Sequence, residues 1–185
     1  MVHGIHDFYS TVTKNQLLRD FNFRLRLVNT DALTFTEEEI VYAHAKQLPG
    51  RKITNHTAPF MGMPLNFAGS AKYEGSENYQ IELLLDASGA LREKLERASR
   101  TVFNDKSSTG DYRMAGPDQT IVLSTVDSKL ETMVNYTLVG AQIRNINNLD
   151  FDYWSGDGKL MKCTITVSFQ YYTTSSGSSD KVVAK

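Results

Sequence analysis

Phe21-Asn22-Phe23-Arg24-Leu25-Arg26-Leu27 alternates apolar with polar residues. Tyr79-Gln80-Ile81-Glu82-Leu83-Leu84-Leu85 follows the same pattern, with Gln80 and Glu82 between its apolar positions. A period of two marks a strand with one buried face, because successive side chains leave a pleated backbone on opposite sides. Working outward, Thr120 to Val126 is rich in β-branched residues and reads as a further strand. Thr132 to Val139 places Val134, Tyr136 and Leu138 on one side and Met133, Asn135 and Thr137 on the other. Leu149, Phe151 and Tyr153 alternate with Asp150, Asp152 and Trp154. After the turn signal Ser155-Gly156-Asp157-Gly158 the chain returns as a strand over Leu160 to Tyr172, which predicts a hairpin. The fold class that emerges is mainly β.

One helix interrupts it. From Ala90 to about Phe103, Leu91, Leu95, Ala98 and Val102 form a stripe at 3.6-residue spacing. Glu93–Arg97 and Glu96–Arg100 are i,i+4 pairs in the favourable order, Ser88 is placed to cap the start, and Asn104-Asp105 with Ser107 to Gly110 stops it. A single amphipathic helix covering a sheet gives an α+β arrangement. Thr36 to Leu48 reads two ways. Thr36-Glu37-Glu38-Glu39 is a capping-box pattern that opens a helix, whereas Val41, Tyr42 and the Leu48-Pro49-Gly50 stop suit a strand.

The chain has 185 residues, which at roughly 150 residues per domain predicts one domain spanning 1–185. Residues 1–20 form an N-terminal segment, residues 21–172 the β core, and the polar, Ser-rich residues 173–185 a flexible tail. Twenty Lys+Arg against 21 Asp+Glu argues against a dedicated nucleic-acid binder, which needs a basic excess to release phosphate counterions. The lone Cys163 cannot form an internal disulfide, and no apolar run approaches the ~20 residues of a membrane helix. Met1 to Asp7 lacks a basic and then apolar secretory pattern, so the sequence reads as a soluble chain of a reducing compartment.

Chemistry is sparse. His3, His6, His44 and His56 are scattered, and Cys163 lies mid-strand, where packing is its expected role. Asp150 and Asp152 share a face of the predicted strand and form a candidate acid pair. As a calcium loop the same stretch fails, because Trp154 occupies the third oxygen-ligand position. Phosphate-cradling and hydrolase motifs are absent, so no cofactor and no metal is expected. Thr57 to Gly69 carries Phe60, Met61, Met63, Leu65 and Phe67 among Gly62, Pro64 and Gly69. It is either a core hairpin or an exposed apolar loop awaiting a partner subunit.

The order of these features resembles the tail tube protein of contractile-tailed, T4-like bacteriophages, related to Hcp-like tube proteins. Leu138-Val139-Gly140-Ala141-Gln142-Ile143, then Asn148-Leu149-Asp150-Phe151-Asp152-Tyr153-Trp154, a turn, and Thr164 to Tyr172 are similar to its C-terminal half. Leu48-Pro49-Gly50 closing a strand, an apolar loop reaching Ala68-Gly69, the Tyr79–Leu85 strand and the Ala90–Asn104 helix match its middle. The resemblance spans most of Phe21 to Tyr172. It departs at Val102-Phe103, where members often place a Trp, and in the Ser-rich tail, which leaves open a specialised tube or baseplate version.

The resemblance implies two packed antiparallel β-sheets in a small sandwich or barrel with one flanking α-helix. It also implies homo-hexameric rings that stack into a hollow tube inside a contractile sheath. The implied partners are further copies of the chain, a sheath protein, a baseplate or tube initiator, a tail terminator, and DNA passing through the lumen without sequence-specific binding. The location is a virion tail assembled in the host cytoplasm, with no catalysis and no membrane insertion. Phe60, Met61, Met63, Leu65 and Phe67 then become candidate anchors between subunits. An Hcp-like secretion tube is the near alternative. A β-sandwich hydrolase or binding module using Asp150 and Asp152 is the distant one.

Overall fold

The computed structural model describes residues 4–15, 22–30, 32–110, 116–127, 129, 131–151, 154 and 158–176. Phe21, Asp152, Tyr153, Asp157 and everything beyond Ser176 lie outside the described residues. In chain order the elements are α1 (Ile5–Asn15), β1 (Phe23–Asn29), α2 (Glu37–Val41), β2 (Ala43–Ala45), β3 (Gly50–Phe60), β4 (Met63–Glu74), β5 (Tyr79–Leu84) and α3 (Ala90–Val102). There follow the two-residue strands β6 (Phe103–Asn104) and β7 (Thr109–Gly110), then β8 (Thr120–Val126), β9 (Thr132–Val139), β10 (Gln142–Ile146), β11 (Lys162–Ser168) and β12 (Tyr171–Ser176).

Two antiparallel four-stranded sheets carry the core, one in the order β1-β8-β9-β12 and the other β10-β11-β5-β2. In the second, Ile81 pairs with Ile165 and Leu83 with Cys163, all fully buried, while Glu82–Thr164 and Gln80–Thr166 take the opposite face. In the first, Leu25 pairs with Leu123 and Val28 with Ile121, again buried. One apolar cluster joins both sheets with Leu33, Phe35 and the Leu91, Leu95 and Ala98 stripe of α3. This is an open sandwich, not a barrel, with β1 and β12 as the end strands of one sheet and β10 and β2 as those of the other; Thr34 and Phe35 partly bridge the outer edge of β1.

β8, β9, β5 and α3 lie where the periodicity places them. Glu93–Arg97 closes at 2.7 Å, Glu96–Arg100 at 3.9 Å, and Arg92–Glu96 adds a third pair at 2.9 Å. The α3 N-cap is Gly89 in the left-handed region, and Ser88 Oγ sits one residue back, accepting from the Ala90 N–H. Both readings of 36–48 are realised in sequence. Thr36 and Glu39 close a reciprocal capping box over the single turn of α2, and β2 then pairs with β5. Glu39 also receives Lys94 at 2.6 Å, tying α2 to α3.

Three expectations are corrected. Leu149 to Phe151 is not a strand. β11 has β10 on one edge and β5 on the other, so residues 149–151 have no edge of β11 left to pair with, and the expected hairpin does not form there. The single strand expected over Leu160–Tyr172 is two: Phe169 is buried between the sheets, and Gln170 donates to the Val139 carbonyl, so the chain crosses from the β11 sheet to the β9 edge. Thr173 to Ser176, read as part of a polar tail, continues β12 as far as Ser176 opposite Val134. An edge strand is held by backbone pairing and does not need an apolar face. Outside the core sandwich, α1 occupies part of the N-terminal segment with Ile5, Phe8 and Tyr9 exposed.

Two measurements check this packing. Leu95 is completely buried, so Leu95→Ala is expected to lower stability by about 2–5 kcal/mol in urea unfolding. Burial alone would raise the Glu39 carboxyl pKa, but hydrogen bonds from Lys94 and the Thr36 backbone outweigh it and hold it below the ordinary value. A depressed folded-state pKa gives stability that is present above the unfolded value and lost as pH falls through the folded one. Lys94→Met is therefore expected to lose stability at pH 7 and to converge on wild type only as pH falls through the depressed folded-state value.

Candidate functional site

Among the described residues β3 and β4 pair only with each other. Their register fixes two faces. Phe60 opposes Met63, Ala58 opposes Leu65 and His56 opposes Phe67 on one face. Pro59–Pro64, Thr57–Asn66 and Asn55–Ala68 lie on the other. The turn is Met61-Gly62 with φ of 47° and 82°, the doubly left-handed pair whose twist suits a two-residue hairpin. Gly62 takes that conformation freely, whereas Met61 holds it against its own Cβ.

At eleven and twelve residues the strands are long for a two-stranded ribbon, each roughly 35–40 Å at ~3.3 Å per residue. Neither contains a fully buried residue. Phe60 is 57% exposed, Met61 90%, Met63 61%, Leu65 41% and Phe67 55%. The candidates picked from sequence are thus brought together on a projecting hairpin, four on one face and Met61 at the tip. The core-hairpin alternative fails on burial, though the hairpin itself is real. An isolated ribbon of this kind is marginal in water, and contiguous exposed apolar area marks a surface that meets something else.

The ribbon is locked at its root. Tyr73 meets Tyr172 edge-to-face at 5.4 Å, and Tyr172 in turn meets Tyr136 at 6.2 Å. Halfway up, a bulge between Ile53 and Asn55 is closed by the Thr54 hydroxyl, which donates to the Ser70 carbonyl and accepts from the Ser70 N–H, both at 3.0 Å. Gly69 sits beneath the His56 ring. A Cβ there would lie 2.7 Å from His56 Cδ2 and 2.8 Å from the Thr54 carbonyl. His56 and Ile53, the latter half exposed on the polar face, are parts of this surface that sequence reading passed over. The two-residue alternation from Ile53 onward was the available signal.

The other candidates do not converge. Asp150 is exposed in the connection after β10, and its proposed mate Asp152 lies outside the described residues. His6, His44 and His56 sit on α1, β2 and β3 respectively. Cys163 is fully buried, with Arg92 Nη1 3.3 Å from its sulfur. Among the described residues no three His, Cys, Asp or Glu side chains gather as a metal site, and no helix is long and apolar enough to cross a membrane.

The sequence matches no protein-family model and no curated protein. Solved structures do match. A chain of the six-fold-symmetrised baseplate of the anti-feeding prophage superposes with a TM-score of 0.57 at 13% identity, over 85% of this chain and 94% of that one. A chain of the sheath/tube terminator of the extracellular contractile injection system PVC, in its extended state, gives 0.52 at 9% identity over 86% and 97%. One from the PVC sheath–tube complex, also extended, gives 0.50 at 10% identity over 90% and 97%. This chain has the tail-tube fold. At 9–13% identity the likeness is one of shape. The tail-tube fold accounts for the two-sheet sandwich with α3 against it.

Because the hairpin above its Tyr73 root holds no fully buried residue, Gly69→Ala is expected to distort it without unfolding the subunit. Amide exchange over residues 54–70 should accelerate while the melting temperature stays within about 2 °C of wild type.

Proposed function

We propose that this chain is a non-enzymatic structural subunit of the tail tube of a contractile-tailed bacteriophage. Six copies form a ring, rings stack into a hollow tube within a contractile sheath, and DNA passes through the lumen into the host cell. The observation that carries the reading is the projecting apolar hairpin on a tail-tube fold. Phe60, Met63, Leu65 and Phe67 form a face whose burial would release apolar surface from water at about 25 cal/mol per Å².

The second sheet supports the same reading. β2 and β10 end it with one strand neighbour each among the described residues, and such edges are places where another copy can add on. Head-to-tail contacts of this kind close into rings, and a repeated axial contact grows a tube. The partners are then further copies, the sheath, an initiator at the baseplate and a terminator at the far end. Assembly takes place in the host cytoplasm and the product resides in the virion tail. The near-neutral overall charge suits a lumen through which DNA slides without being gripped.

A second reading has specific support. The matched structures include a baseplate and a terminator, so a tube-initiating or capping ring fits the same fold. The two differ in growth, because a tube subunit extends on a seed without limit whereas an initiator or cap stops after one or two rings.

Negative-stain electron microscopy with light scattering, over a concentration series with and without a preformed tube seed, tests the reading. Wild type is expected to form six-fold rings or tubes. Phe60→Asp and Met63→Asp are expected to keep the wild-type melting temperature and to remain monomeric, and normal polymerisation of both would remove the hairpin from the interface. A glycosidase or nuclease activity abolished by Asp150→Asn with Asp152→Asn would overturn the structural role.

A further inference from the structure

The apolar face of the hairpin does not end in neutral residues. Continuing toward the root, Lys52 and Lys72 are direct cross-strand partners on the strand positions in phase with Phe60, Ala58 and His56. Like charges placed opposite each other repel. The ion pair they have is Lys52–Glu74 at 3.6 Å, with both side chains largely exposed. The face therefore reads apolar at the tip and cationic at the base.

The body of the subunit carries a surface of the complementary kind. α2 presents three consecutive glutamates followed by Ile40, Val41 and Tyr42. Glu39 is used internally, by the capping box and by Lys94. Glu37 and Glu38 make no hydrogen bond or ion pair through their side chains among the described residues. Val41 is 72% exposed and Tyr42 48%, whereas Ile40 next to them packs against the core. Glu37 and Val41 are i,i+4 neighbours on one side of the turn, with Glu38 flanking them. A cleft of about 440 Å³ opens beside them, lined by the apolar Leu25, Ile40, Val41 and Ala43 and by Glu37, Arg24, Arg26 and His44. It has room for one or two large apolar side chains.

We infer that the tip-apolar, root-basic face of the β3–β4 hairpin docks on the α2 surface of a second copy of this chain, Phe67 and Leu65 over Val41 and Tyr42 and Lys52 and Lys72 against Glu37 and Glu38. The spacing allows it. His56 to Lys52 is four residues, ~13 Å of strand, and an i,i+4 step plus the reach of a Lys and a Glu side chain spans that distance. The occupant is another copy because this one chain carries both complementary surfaces, while among the described residues the hairpin above Tyr73 has no fully buried residue. Charge complementarity of this sort sets register and partner choice more than raw affinity. The inference rests on the hairpin being an assembly element, and it names the surface that receives it.

The test places a photo-crosslinking amino acid at position 67 of the full chain, irradiates at assembling concentration, and maps the adducts by mass spectrometry beside electron microscopy of the same sample. Inter-chain adducts within residues 37–42 are expected. Adducts elsewhere on a second copy, or none, overturn the docking surface. If rings or tubes form with adducts elsewhere, the tube reading survives without this surface. If adducts fall on 37–42 but only dimers form, the docking stands and the tube reading fails. A charge swap gives an independent arm. Lys52→Glu with Lys72→Glu, and separately Glu37→Lys with Glu38→Lys, should each raise the concentration needed for association about tenfold or more. Combining all four should restore it to within about threefold, and absence of that rescue would overturn the pairing of these charges.

Discussion

The pairing of β5 with β11 is the constraint on which the rest of the subunit depends. Tyr79, Ile81 and Leu83 face the same way as Cys163, Ile165 and Val167, and none of the six is more than 2% exposed. A slip of one residue would turn all of them to the polar face and bring Gln80, Glu82, Thr164 and Thr166 inward. With that register set, β10 and β2 have defined edges to join, α3 has an apolar floor for Leu91 and Leu95, and the first sheet has a surface to pack on. Phe169 then carries the chain between the sheets at the end of β11, packing edge-to-face on Tyr79 at 6.0 Å.

A body secured this way can hold a long element outside itself. The hairpin departs from β2 and returns into β5, so its root is fixed by the same sheet while the ribbon above Tyr73 buries nothing. Core packing and exposed apolar surface thereby fall to different residues. The buried cluster holds the subunit, and Phe60, Met63, Leu65 and Phe67 stay exposed on the ribbon. Lys52 and Lys72 lie on that ribbon, and Glu37 and Glu38 lie on α2, outside the core.

Much of this was legible in the residues. Strict alternation marked β5, β8 and β9, and a narrow stripe marked α3, because each has one buried face and a periodic pattern follows directly from that. The capping box at Thr36 was visible, but whether a helix or a strand followed was not, since five helical residues and three strand residues leave too short a period to count. β10 was missed because Gln142-Ile143-Arg144-Asn145-Ile146 carries a register shift that breaks its alternation. The Leu149–Phe151 stretch was misread for the converse reason. Its alternation was regular, but the edges of β11 are taken by β10 and by β5, the latter far away in the chain.

Local periodicity and composition are enough to give the class of the fold, the amphipathic α3 and the unusual apolar content of residues 57–69. That the apolar run lies outside the core is a matter of how the strands pack. Alternation says which side chains share a face of a strand, but it cannot say whether that face meets protein or water. That is settled by which strands find partners. β5 has β2 and β11 on its two sides and a second sheet over one face, while β3 and β4 have only each other.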